Sequence, residues 1–182
     1  MPSNIEKLIG GCEDAISTVC DGLAGGQLSP AEWHNEMLHT LGQYHTAAYL
    51  LGRDTTTISD PAQRFLLDTM GKQAAYLGHF TDAIEDGRLS DAETHARAQR
   101  YAGAIHATAD RARTWDWPLP FQPADGGTEC RTNCRCSWQG RGLDVEELTG
   151  EWFWMLAGNE VCPGCRGRAD DNPYVVINGE LQ

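Results

Sequence analysis

"SPAEWHNEMLHTLGQYHTAAYLLG", residues 29–52, decides the fold. It opens with a serine that can cap a helix, a proline at the first helical position and a glutamate able to close a capping box. Behind that start, Trp33, Met37, Leu38, Leu41, Tyr44, Ala48 and Leu51 recur every three or four positions, so one side of the helix is apolar and has to be buried. Gly52 is a plausible stop. A helix of this kind needs partners, and the sequence on both sides supplies them.

Before it, Ile5, Leu8, Ile9, Cys12, Ile16, Val19, Cys20 and Leu23 keep the same spacing from Ser3 to Leu23, and Gly25-Gly26 ends the run. After it, Asp60-Pro61-Ala62-Gln63 repeats the start grammar, and Phe65, Leu66, Met70, Ala74, Leu77, Phe80 and Ile84 carry a third helix to Gly87. Ser90-Asp91-Ala92-Glu93 begins a fourth, whose apolar side runs through Ala98, Tyr101, Ala102, Ile105 and Ala109 towards Arg113. The fold class expected is mainly α: an antiparallel bundle of about four helices over residues 1–113.

The grammar then changes. "TWDWPLPFQPADGGTEC", residues 114–130, holds three prolines and two glycines, and neither helical nor strand spacing survives. Residues 114–129 are read as a linker rich in Pro, Gly and aromatics. From 130 to 182 the pieces are short: "CSWQ", "EWFWMLA" and "YVVING" predict brief strands or turns in a small irregular or β module.

Fourteen Lys plus Arg against twenty-six Asp plus Glu give a formal charge of −12, which would repel a phosphate backbone or an anionic membrane surface. Nucleic acid is not expected as a partner, and neither is a membrane. The first residues lack a basic start and a long apolar run, and no stretch approaches eighteen consecutive apolar residues. The expectation is a cytosolic product without export signal or membrane span, made where disulfides are disfavoured and clustered cysteines more often bind metal.

Five of the seven cysteines fall in the last module: Cys130, Cys134, Cys136, Cys162 and Cys165. A small module with little apolar mass needs a staple, and a structural zinc is one, because metal binding supplies folding free energy directly. Cys162-Pro163-Gly164-Cys165 is a C-x-x-C knuckle in which both thiolates can face one ion. Its partners come from Cys130, Cys134 and Cys136. Four thiolates fill a tetrahedral site, so one cysteine is spare, and Cys130 with Cys136 is the favoured pair. Buried thiols or a disulfide formed on oxidation remain as bland alternatives. A catalytic thiol would have to borrow its base from the helices, since no histidine follows His106. An open catalytic zinc could use Glu129 or Glu160 as base, but surplus cysteines favour closure, and the lack of H-x-E beside P-C-x-x-C removes a deaminase reading.

"LPFQPADGGTECRTNCRCSW", followed by "CPGC", resembles the cysteine-rich tail of a family of tailed-phage and prophage minor capsid, or head-morphogenesis, proteins, with its P-x-D-G-x-T-x-C-x-x-N-C-x-C-x-W signature. "AAYLLGRD", "YLGHFTDAIEDGRLSD" and "ARAQRYAGAIHATA" are similar in order and character to the helical half of the same group. The likeness runs from about Trp33 to Cys165. It implies a non-enzymatic virion or assembly protein, found in the virion and in the host cytoplasm during assembly, whose partners are portal, capsid or further copies of itself. It also implies that Cys130, Cys134, Cys136, Cys162 and Cys165, with Trp138 beside them, form a zinc module. One departure is visible: the group tends to show Pro-Gly-Asp-Gly where this chain has Pro123-Ala124-Asp125-Gly126, so the turn before the first ligand is expected to differ. The competing readings are a zinc- or cysteine-dependent accessory enzyme such as a hydrolase, and a bacterial zinc-containing interaction module.

Other constellations weigh less. Glu36-Met37-Leu38-His39 is a single E-x-x-H where a di-iron bundle needs two, so a polar surface pair is expected. His34, His45, His79, His95 and His106 are scattered, and packing or surface roles are expected for them. Cys12 and Cys20, about 12 Å apart along one helix, are too distant to bridge and read as core. Trp115, Trp117, Phe121, Trp152, Phe153 and Trp154 are divided between covering the zinc loops and docking a neighbour. Arg131, Arg135 and Arg141 surround the knuckle and are read chiefly as screening thiolate charge.

Overall fold

Serine hydroxyls set the helix starts. In the computed structural model, which describes residues 3–125, 127–129, 135–158 and 161–182, Ser3, Ser29 and Ser90 each accept the backbone N–H three residues on, and Glu6, Glu32 and Glu93 reach back to the serine N–H. These boxes begin α1 (Asn4–Ala24), α2 (Pro30–Arg53) and α4 (Asp91–Ala98). The start of α3 (Asp60–Glu85) differs: Ser59 holds the cap position without a side-chain hydrogen bond, and Asp60 lies inside the first turn, where its charge suits the helix dipole. Helix α2 passes Gly52 and stops at Asp54, which takes a left-handed φ of 51°.

The fourth helical run is interrupted. Residues Gln99–Gly103 tighten into a 3-10 turn before α5 (Ala104–Arg113). Gln99 Nε2 donates to Glu13 O at 2.9 Å and to Ser17 Oγ at 2.8 Å, which pins the turn to α1. The protein is thus mainly helical, with a small four-stranded antiparallel sheet at its C-terminal end. No helix among the described residues is long and apolar enough to cross a membrane.

Helix α2 is the centre of the helical part and packs against α1, α3 and α5. Cys12, Ile16, Trp33, Met37, Leu41, Leu77, Phe80 and Ile105 are fully buried in one cluster, and Trp33 meets Phe80 edge to face at 5.0 Å. Cys12 and Cys20 lie in this core as expected, and burial pushes the Cys12 thiol up to about 12. Helices α2 and α5 approach so closely at Gly52 that a Cβ there would stand 2.3 Å from the Ala109 carbonyl oxygen.

The sheet runs in the order β1 (Ser137–Asp144), β2 (Thr149–Met155), β3 (Tyr174–Ile177), β4 (Glu180–Leu181), with α6 (Pro163–Asp170) between β2 and β3. Alternation puts Trp138, Trp152, Trp154 and Val176 on one buried face, and Trp138 pairs with Trp154 across the strands. Phe121 from the preceding turn stacks on Trp138 at 5.2 Å, and Tyr174 meets Trp138 edge to face. The tail tryptophans that could have served a neighbour are therefore mostly inside. Trp115 instead joins Tyr49 and Phe65 on the helices, and half-buried Phe153 carries the Arg141 guanidinium 4.8 Å above its ring.

Helix α5 is joined to β1 by a buried carboxylate. Asp110 Oδ2 accepts the Trp138 N–H at 2.9 Å, and Arg113 bridges the Asp110 carboxylate and the Trp138 carbonyl. Burial raises the Asp110 carboxyl above its usual range, while Arg113 and the Trp138 N–H pull it back. Thr114 continues the join by donating to Gln122 Oε1 at 3.0 Å.

Candidate functional site

The sequence C-P-G-C folds as a helix start. Cys162 is the N-cap of α6, Pro163 occupies the first turn, and Cys162 Sγ accepts the Cys165 N–H at 3.4 Å in the place a serine oxygen would take. Cys165 is 1% exposed and stands 3.8 Å from Thr128 Oγ1.

Cys136, 3% exposed at the entry to β1, belongs to the same buried cluster as Cys165, and Cys162 packs against that cluster. Three of the five expected ligands therefore border the same aromatic core. Cys130 and Cys134 lie outside the described residues, as do Arg131 and Glu160. Among the described residues no group of three or more His, Cys, Asp or Glu side chains is placed to hold a metal ion.

Glu129 is tied to the knuckle. Its Oε2 accepts the Gly164 N–H at 3.0 Å, capping the knuckle turn. Its own N–H, the Gly164 N–H and the Cys162 thiol hold its carboxyl below the usual range.

The turn before the knuckle is built around Asp125, which accepts the N–H groups of Gln122 and Gly127 and pairs with Arg168 of α6 at 3.2 Å. Arg168 lies 4.0 Å over the Phe121 ring, so one side chain ties the turn, the aromatic core and α6 together. Ala124 has φ +58°, a left-handed conformation that costs an L-residue about 1–2 kcal/mol, so the turn is strained there. Sequence reasoning missed Asp125 and Arg168 as anchors, and the Asp-Gly within the turn was the available signal.

Other candidates resolve as structure. Glu36 and His39 are exposed, and His39 Nε2 contacts only the Gln43 amide at 2.8 Å among the described residues. His34 Nδ1 lies 2.9 Å from Thr81 Oγ1, whose hydroxyl donates to the Leu77 carbonyl, so the histidine is the donor. Arg135 and Arg141 are exposed, His79 is a surface residue near Asp82, and His45 is buried against Thr108. Comparison with protein-family models, with curated proteins and with solved structures finds no match.

Proposed function

We propose that the chain is a non-enzymatic structural or assembly protein of the tailed-phage minor capsid, head-morphogenesis type, whose C-terminal module is stapled by a structural zinc. The observation that carries the reading is the knuckle: Cys162 and Cys165 frame a helix start with an amide-to-sulfur bond, beside Cys136 in one buried cluster. Four of Cys130, Cys134, Cys136, Cys162 and Cys165 would hold the ion, which would supply loop closure and folding free energy. The donor set fits zinc, being thiolates with amide support and no histidine nearby in sequence. The tie between Glu129 and Gly164 supports closure over an open catalytic position.

The helices are read as an antiparallel bundle used for contacts with portal, capsid or further copies of the chain. Exposed Ile58 and Leu67, flanking an open groove between α2 and α3, supply apolar area of the kind such contacts cover. The virion role is tested by mass spectrometry of purified particles from the source strain, together with inspection of neighbouring reading frames. Presence of the chain in particles, with portal, terminase and capsid frames adjacent, is the expected result. Its absence from particles and from such a neighbourhood would leave the interaction-module reading in its place.

A further inference from the structure

Helix α2 packs against α1, α3 and α5, yet one side of it stays open. That side forms a groove with α3, walled by Leu38, Gly42 and Leu50 of α2, by Leu67 and Met70 of α3 and by Ile58 of the connecting loop. Leu67 is 65% exposed and Ile58 40%. From Met37 to Gly52 the chain has no Asp, Glu, Lys or Arg, so the outward side of α2 is as free of formal charge as its inward side. A surface helix of a globular protein normally turns charged residues to water, and this stretch does not.

Helix α3 continues the face. Leu67, Gly71, Ala74 and Gly78 follow one another at spacings of four, three and four, which puts them on one strip of the helix. A Cβ at Gly71 or at Gly78 would meet nothing beyond its own helix within 4 Å, so the strip offers open notches beside a projecting leucine. Arg64 and Asp82 are about five helical turns apart and border the strip on the same side. Among the described residues Arg64 pairs with no carboxylate, and the ion pair of Asp82 is a long one, 4.0 Å to His79.

We propose that this face is the contact between two copies of the chain, related by a two-fold axis that crosses α3 between Gly71 and Ala74 and sets the two α3 helices antiparallel. Leu67 of each copy then lies on Gly78 of the other, and Arg64 of each beside Asp82 of the other, as an isologous contact requires. Asp60 and Glu85, at the two ends of α3, are carried apart by the crossing angle of packed helices. A second copy is the occupant because each chain carries −12: two copies repel over most of their surface, and the stretch of α2 without carboxylates is where they can touch. The face is about 20 Å long and two helices wide, less than the roughly 800 Å² per partner of a standard interface, so a weak dimer is expected. The inference rests on the reading of the helices as a contact surface and narrows it to a second copy; it uses neither the metal nor the virion role, and its failure leaves both standing.

The test is sedimentation equilibrium of the full chain from about 10 μM to about 1 mM, where weak dimers are read directly. A reversible monomer–dimer equilibrium is expected. Leu67→Glu should weaken it ten-fold or more, while Val145→Glu, at a residue 69% exposed on the turn between β1 and β2, should leave it unchanged. Arg64→Asp should weaken it several-fold, and Asp82→Arg added to that variant should restore it. Leu67 and Arg64 are exposed, so both variants are expected to fold, and circular dichroism checks it. A chain that stays monomeric throughout would overturn the proposal and leave the face to a different protein. A dimer indifferent to Leu67→Glu, or one that the charge exchange does not restore, would overturn it as well.

Discussion

Asp110 on α5 accepts the backbone N–H of Trp138 on β1 at 2.9 Å across 28 positions of sequence, and both residues are buried. The carboxylate thereby gives one amide of the edge strand β1 a side-chain acceptor from α5. Arg113 sits on both partners, so the three groups act as one latch between helices and sheet. Asp110→Ala is expected to destabilise the chain by about 2–3 kcal/mol, because it strands a buried amide and a half-exposed guanidinium. Asp110→Asn keeps an acceptor for Trp138 and should cost clearly less. Urea denaturation followed by tryptophan fluorescence reads both, and equal small losses would contradict the latch.

His45 makes stability depend on pH. Burial lowers its pKa from 6.5 to about 4, so the folded chain refuses a proton that the unfolded chain accepts. The contribution is whole above pH 6.5 and is lost as pH falls towards 4, amounting to about 3 kcal/mol across that window. His45→Gln should flatten this part of the profile. Denaturation midpoints at several pH values, compared between the two chains, check it; parallel profiles would refute it.

Gly52 sets the distance between α2 and α5. A methyl group there would meet the Ala109 carbonyl oxygen at 2.3 Å and the Ala112 Cβ at 2.9 Å, neither of which can swing away. Gly52→Ala is expected to cost about 1–3 kcal/mol despite alanine's better helix propensity. A rise in thermal midpoint would show that the helices part without penalty.

Ala124 offers the opposite case. Its φ of +58° favours glycine, so Ala124→Gly should stabilise by about 0.5–1 kcal/mol once the added freedom of the unfolded chain is subtracted. A destabilised variant would mean that the Ala124 side chain contributes more by packing than its backbone costs.

Much of the helical half was legible because its signals are local. Serine caps, glutamates three residues on and apolar residues at helical spacing act within one turn, and Ser29 with Glu32 is the plainest example. The 3-10 turn at 99–103 was not legible, since the Gln99 contacts that hold it come from α1, more than eighty positions away. The strands were readable as short alternating pieces. Helix α6 inside the knuckle was not, because Cys162 replaces the usual oxygen cap with sulfur. At the candidate site, spacing pointed to five cysteines; Cys130 and Cys134 lie outside the described residues, and Cys136, Cys162 and Cys165 border one buried cluster. The roles of Glu129, Asp125 and Arg168 depend on tertiary contacts that no motif records.

The most direct test of a sulfur-held ion as the staple of the C-terminal module is elemental mass spectrometry of the purified full chain, paired with thermal unfolding with and without a strong chelator. The account predicts one zinc per chain and a chelator that lowers the unfolding temperature of the tryptophan-rich module. A metal-free chain whose melting ignores the chelator would contradict it.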